Sequence, residues 1–108
     1  MQITGEMLIG ASSVRGTEGQ QQAFDPRMDQ FIATPTFGMG GQAEVDRAAQ
    51  LAAQAFDPYR QLSLAKRAEF LELIADNIMA LGDALIERAM AESGLPMVRL
   101  QGERGRTV

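Results

Sequence analysis

Residues 63–94, SLAKRAEFLELIADNIMALGDALIERAMAESG, carry the longest helical periodicity in the chain. Ala68, Leu71, Ile74, Ala75 and Ile78 recur at spacings of three and four, which places them along one stripe of a helix that needs a partner. Phe70 and Leu73 widen the stripe. Ser63 is the N-cap expected from its hydroxyl, which can accept a free backbone N–H, but Lys66 at the third helical position denies it the reciprocal bond of a full capping box. Gly82-Asp83 predicts a break and a fresh cap. Beyond it, Ala84, Leu85, Ala89 and Ala91 continue a second helix to Ser93-Gly94, a left-handed stop.

Before this pair the pattern changes. Gln2 to Thr4 and Glu6 to Ile9 flank Thr4-Gly5 and read as two short strands joined by a tight turn. Residues 11–20 read as a Ser/Gly/Thr loop. Gln21 to Phe24 is a third strand ended by Asp25-Pro26, and Gln30 to Phe37 a fourth, with Pro35 placing it at a sheet edge because proline cannot donate to a ladder. Gly38-Met39-Gly40-Gly41 lacks the Lys-Ser/Thr of a phosphate loop and the spacing of a dinucleotide fingerprint, so it reads as a connector.

Gln42 to Phe56 predicts a helix with Val45, Ala48, Ala49, Ala52 and Ala55/Phe56 on its buried side, ended by Asp57-Pro58. After Gly94, Leu95-Pro96 opens a last helix whose apolar Val98 and Val108 still require cover. The expectation is an α+β segment, residues 1–41 strands and loops and residues 42–108 about four helices, at the front of a longer protein.

Composition narrows the chemistry. The chain has 108 residues and is 45% hydrophobic, but only 6% aromatic. A large self-contained core is not expected, because much of the apolar count is alanine. There is no Cys and no His, which removes the thiolate nucleophile, disulfides, and the commonest general base and transition-metal ligand. A net charge of −4 argues against a nucleic-acid footprint. No apolar run approaches a membrane span, and the first residues lack the basic and apolar regions of a secretory signal, so the expected location is cytoplasmic. Glu69/Glu72 and Glu87/Glu92 read as solvated helix faces, and the seven Met residues as gap-fillers.

Several stretches resemble the amino-terminal part of the NAD(P)-dependent aldehyde dehydrogenase superfamily. Phe24-Asp25-Pro26 is similar to its F-N-P turn, and Val45-Asp46-Arg47-Ala48 with Ala52-Ala53-Gln54-Ala55-Phe56 to its V-D-x-A…A-A-x-A-F helix. Ser63…Arg67-Ala68…Leu71…Ile74-Ala75-Asp76 is similar to S-x-x-x-R-A…L…I-A-D, and Glu92-Ser93-Gly94-Leu95-Pro96 to E-T-G-K-P. The Gln2-Ile3-Thr4-Gly5 opening and residues 102–108, GERGRTV, look most like the 2,5-dioxovalerate (α-ketoglutaric semialdehyde) dehydrogenases.

The resemblance implies a parent of α/β aldehyde dehydrogenase fold, with this chain as part of its cofactor-binding domain. It implies NAD or NADP as cofactor, the remainder of the chain as partner, and a homo-oligomer. It also implies that the catalytic Cys, the general-base Glu, the oxyanion-hole Asn and the cofactor contacts lie downstream, so that no catalytic or cofactor-binding residue falls within these positions. In the family a Cys thiolate attacks the aldehyde, hydride passes to NAD(P)+, and water activated by Glu releases the acid. The alternative from composition alone is a small acidic helical interaction module without catalysis.

One candidate substrate residue remains, Arg106, which the resemblance places on a helix near the substrate entrance. Its planar, permanently charged fork suits the remote carboxylate of a 2,5-dioxovalerate-type substrate. The competing reading is that Arg99, Glu103 and Arg106, spaced four and three apart, form surface ion pairs on one helix face.

Overall fold

The computed structural model describes residues 2–108. Four strands and four helices follow one another among them: β1 (Met7–Ile9), β2 (Ser12–Val14), β3 (Gln20–Asp25), β4 (Gln30–Gly38), α1 (Gln42–Arg60), α2 (Leu64–Ala80), α3 (Gly82–Ser93) and α4 (Met97–Thr107). β1 pairs with β2, and β3 with β4, in separate two-stranded sheets. The α+β expectation holds for the chain. The residues divide into two compact units, Gln2–Ala23 with Ile32–Leu62, and Phe24–Phe31 with Ser63–Val108.

In the first unit the hairpin is displaced from its predicted place. β1 and β2 run antiparallel with Met7 opposite Val14 and Ile9 opposite Ser12, so the two-residue turn is Gly10-Ala11 rather than Thr4-Gly5. Gly10 has φ +62, which suits the first central position of a II′ turn. Gln2 to Thr4 is not a strand, and the predicted 11–20 loop contains β2. Gly5 serves a close approach instead. Its φ is +77, a Cβ there would lie 2.0 Å from the Thr36 carbonyl oxygen, and the Gly38 N–H donates to its carbonyl at 3.1 Å. Arg15 fastens the same region, donating from Nη2 to the Thr36 carbonyl (3.0 Å) and hydroxyl (2.6 Å) and from Nη1 to the Thr4 carbonyl (3.3 Å).

Residues 38–41 join β4 to α1, as expected of a connector. A Cβ on Gly38 would meet the Gly16 carbonyl oxygen at 2.5 Å, and one on Gly41 the Glu18 Cγ at 2.8 Å. Gly38 is thus required by close backbone packing, whereas Gly41 faces the Glu18 side chain. At the start of α1 the Gly41 N–H donates to Glu44 Oε2 at 2.8 Å, half of a capping box, since glycine has no side chain to return the bond.

α1 passes the predicted stop at Asp57-Pro58 and continues to Arg60. A proline this close to the end removes one N–H where few bonds remain to be lost. The added turn is held by Arg60, whose Nε bonds Asp57 Oδ1 at 2.7 Å while its guanidinium lies 5.4 Å from the Phe56 ring centroid. The side predicted to be buried is bare within this unit. Val45 and Phe56 are 61% and 64% exposed, and Ala48, Ala49, Ala52 and Ala55 are exposed as well. The side of α1 that faces the β1–β2 hairpin carries Ala43, Glu44, Arg47 and Leu51.

The second unit contains the helices of residues 63–94. Ser63 caps α2, accepting from the Lys66 N–H at 3.2 Å. Gly82, at φ +61, makes the break, but Asp83 makes no cap: it lies in the first turn of α3, where a negative charge opposes the positive end of the helix dipole. Gly94, at φ +71, ends α3 in the left-handed conformation, its N–H donating to the Met90 carbonyl at 2.9 Å. Pro96 is the N-cap of α4 rather than its first residue.

The tip of the β3–β4 hairpin packs beside Gly94, and there Phe24 and Phe31 meet edge to face with centroids 5.4 Å apart. Asp25 Oδ1 accepts from the Arg27 and Met28 N–H groups at 2.9 and 3.2 Å and shapes the turn. α4 lies against α3 and the end of α2, with Arg104 Nη1 donating to the Gly82 carbonyl at 2.8 Å. Ile86 is the one buried apolar side chain among the described residues, 2% exposed. The stripe predicted on α2 is half-buried at Ala75 and Ile78, toward α4, and bare along the rest, with Leu71 and Leu73 59% and 58% exposed.

Candidate functional site

Among the described residues no three His, Cys, Asp or Glu side chains gather as a metal site, and no helix is long and apolar enough to cross a membrane. The paired carboxylates are partly engaged by neighbours on their own helices. Glu69 accepts from Lys66 Nζ at 2.6 Å, and Glu92 Oε1 from Arg88 Nε at 2.5 Å.

A dinucleotide cradle requires glycines that leave room for a pyrophosphate beside a helix N-terminus. The Gly38–Gly41 segment precedes a helix, but the space its glycines leave is taken by Gly16, Glu18 and Met7 of the same unit. That segment therefore leaves no room for a pyrophosphate at the start of α1.

Arg106 is placed at the end of α4, its side chain 80% exposed and ion-paired with Glu103 Oε2. Arg99 Nε bonds the other oxygen of Glu103 at 3.0 Å. The three side chains form one ion-pair row along the helix, at the four-then-three spacing of the sequence. An incoming carboxylate at Arg106 must compete with the one already there.

Each unit carries a concavity. The first, about 470 Å3, lies between the β1–β2 hairpin and α1, with Ile9, Val14 and Leu51 as apolar walls and Glu44 and Arg47 as its charges. The second, about 230 Å3, lies between α3 and α4 beside Ile86 and is almost wholly apolar. Sequence reading did not single out Glu44 or Arg47. The signal for Glu44 was available, a Glu three residues after Gly41 at a helix start, the acidic half of a capping box.

The aldehyde dehydrogenase family pattern matches residues 14–108, and the chain belongs to that family. Among curated proteins it is 64% identical over 108 residues, its whole length, to alpha-ketoglutaric semialdehyde dehydrogenase 2 of Azospirillum brasilense, covering 21% of that protein. It is 47% identical over 95 residues, 82% of its length, to alpha-ketoglutaric semialdehyde dehydrogenase of Acinetobacter baylyi, covering 18% of it. The chain thus spans about a fifth of the length of these relatives. The matches favour the dehydrogenase segment over the interaction module. No solved structure matches the chain significantly.

Proposed function

We propose that the chain is the amino-terminal structural segment of the cofactor-binding domain of a longer aldehyde dehydrogenase of α/β fold. The observation that carries this is 64% identity along the whole chain to an enzyme five times its length. The bare apolar faces of α1 and α2 support it, since side chains such as Val45, Phe56, Leu71 and Leu73 need cover that neither unit supplies by itself. The substrate proposed is α-ketoglutaric semialdehyde, oxidised to 2-oxoglutarate by a cytoplasmic homo-oligomer. The hydride acceptor, NAD or NADP, would be held by residues outside this segment.

The segment lacks a thiol nucleophile and a cofactor cradle, so the purified 108 residues are expected to form no NADH or NADPH from 2,5-dioxovalerate while the full-length enzyme does. Turnover by the segment above a no-protein control refutes the assignment, as does a full-length enzyme inert toward this substrate.

Arg106 is the residue of this segment proposed to hold the substrate's remote carboxylate. In the full-length enzyme, Arg106→Ala is expected to lower kcat/KM for the oxo acid by about 1.5–3 kcal/mol equivalent, typical of a hydrogen bond to a charged group, and to spare a neutral aliphatic aldehyde. Equal effects on both substrates leave Arg106 only its ion pair with Glu103.

A further inference from the structure

The groove between the β1–β2 hairpin and α1 has a composition that the dehydrogenase reading does not use. Glu44 and Arg47 stand three residues apart on α1 and both line it, yet they form no ion pair. Every other pair of opposite charges three or four apart within these helices is bridged among the described residues: Asp57 with Arg60, Lys66 with Glu69, Arg88 with Glu92, and Glu103 with both Arg99 and Arg106. The exception has a local cause. Glu44 is drawn back along the helix by the Gly41 N–H, which its Oε2 accepts at 2.8 Å, while Arg47 reaches forward to Gln50 Oε1 at 3.3 Å.

One carboxylate oxygen and most of a guanidinium fork therefore remain without an ion-pair partner on the wall of a largely apolar groove. Side chains three apart on a helix have Cβ atoms roughly 5–6 Å from each other, within reach of two charges on one small molecule. A ligand with only a carboxylate would meet Glu44 as a like charge, and one with only an ammonium would meet Arg47. A zwitterion satisfies both. Ile9, Val14 and Leu51 supply an apolar surface for the rest of it, and a volume of about 470 Å3 is in the range of small-molecule sites.

We propose that this groove binds a free α-amino acid with an apolar side chain, its carboxylate on Arg47, its ammonium on Glu44 and its side chain against Ile9, Val14 and Leu51. The proposal is independent of the aldehyde reading. It is tested by calorimetric titration of the full-length protein with L-leucine, 4-methylpentanoate, which lacks the ammonium, and 3-methylbutylamine, which lacks the carboxylate. Saturable leucine binding is expected, with each analogue weaker by about tenfold or more, as expected for loss of a charged hydrogen-bond partner.

Arg47→Gln and Glu44→Gln are expected to weaken leucine binding by a similar factor. The latter keeps the capping bond to Gly41, which glutamine also makes. Absence of saturable leucine binding overturns the proposal, as does an analogue binding as tightly as leucine or an unchanged affinity in either variant. The analogue comparison uses the unaltered protein and stands even if a variant folds poorly.

Discussion

Gly5→Ala is expected to destabilise the full-length protein by about 2–5 kcal/mol, adding the cost of a left-handed backbone for a residue with a Cβ to that of an overpacked site. Gly5 adopts φ +77, and its added methyl would sit 2.0 Å from the Thr36 carbonyl oxygen and 2.9 Å from the Thr36 carbonyl carbon. Both are backbone atoms, so no side-chain rotation relieves the overlap. The same strand is bound to this segment by the Gly38 N–H to the Gly5 carbonyl and by Arg15 to the Thr36 carbonyl. Moving Thr36 away therefore stretches bonds that hold β4 in place. The check is the unfolding midpoint of the variant beside Gly82→Ala, where φ is +61 but a Cβ meets nothing within 4 Å. Gly82→Ala isolates the backbone conformational cost. If the two variants lose the same stability, the close approach at Gly5 contributes nothing.

Gly5 also marks where the sequence stops being informative. A Thr-Gly pair between short apolar runs signals a glycine-dependent conformation, and φ +77 bears that out. Whether the glycine serves a hairpin turn or a contact with β4, some thirty residues on, depends on tertiary neighbours that local pattern does not contain. Helices fared better, because Ser63, Gly82 and Gly94 act within a turn of their own position. Their faces were harder to read. On α1 the alanine-rich stripe looked buried, but the hairpin meets the side carrying Leu51 and leaves that stripe exposed.

The site divides in the same way. The row of Arg99, Glu103 and Arg106 is legible because helical spacing alone sets it. Arg15 was hidden in a predicted loop, since its partners at Thr4 and Thr36 lie 11 and 21 residues away. The charges of the hairpin groove were hidden for a different reason. Glu44 and Arg47 have the spacing of a routine helical ion pair, and only the competing bonds to Gly41 and Gln50 show that the pair is not made.

Ile86→Ala is expected to cost about 2–3 kcal/mol, the low end of the range for burying and then removing an isoleucine side chain. Ile86 is 2% exposed and lies on α3 where it meets α4, with Ile78, Leu85 and Leu100 around the adjoining groove. The low end applies because the cost grows with the cavity that cannot collapse, and this site already opens onto a concavity of about 230 Å3 that neighbours or water can enter. Ile86→Val, which removes one methylene, is expected to cost about 0.5–1.5 kcal/mol. Native-state hydrogen exchange in the full-length protein reads both, through the protection of the α3 and α4 amides. The alanine variant should lose protection in α3 and α4 together, because Ile86 is the buried anchor they share, while α1, in the other unit, keeps its own. Unchanged α4 protection in Ile86→Ala would mean that Arg104, through its bond to the Gly82 carbonyl, holds the helix in place without the buried side chain.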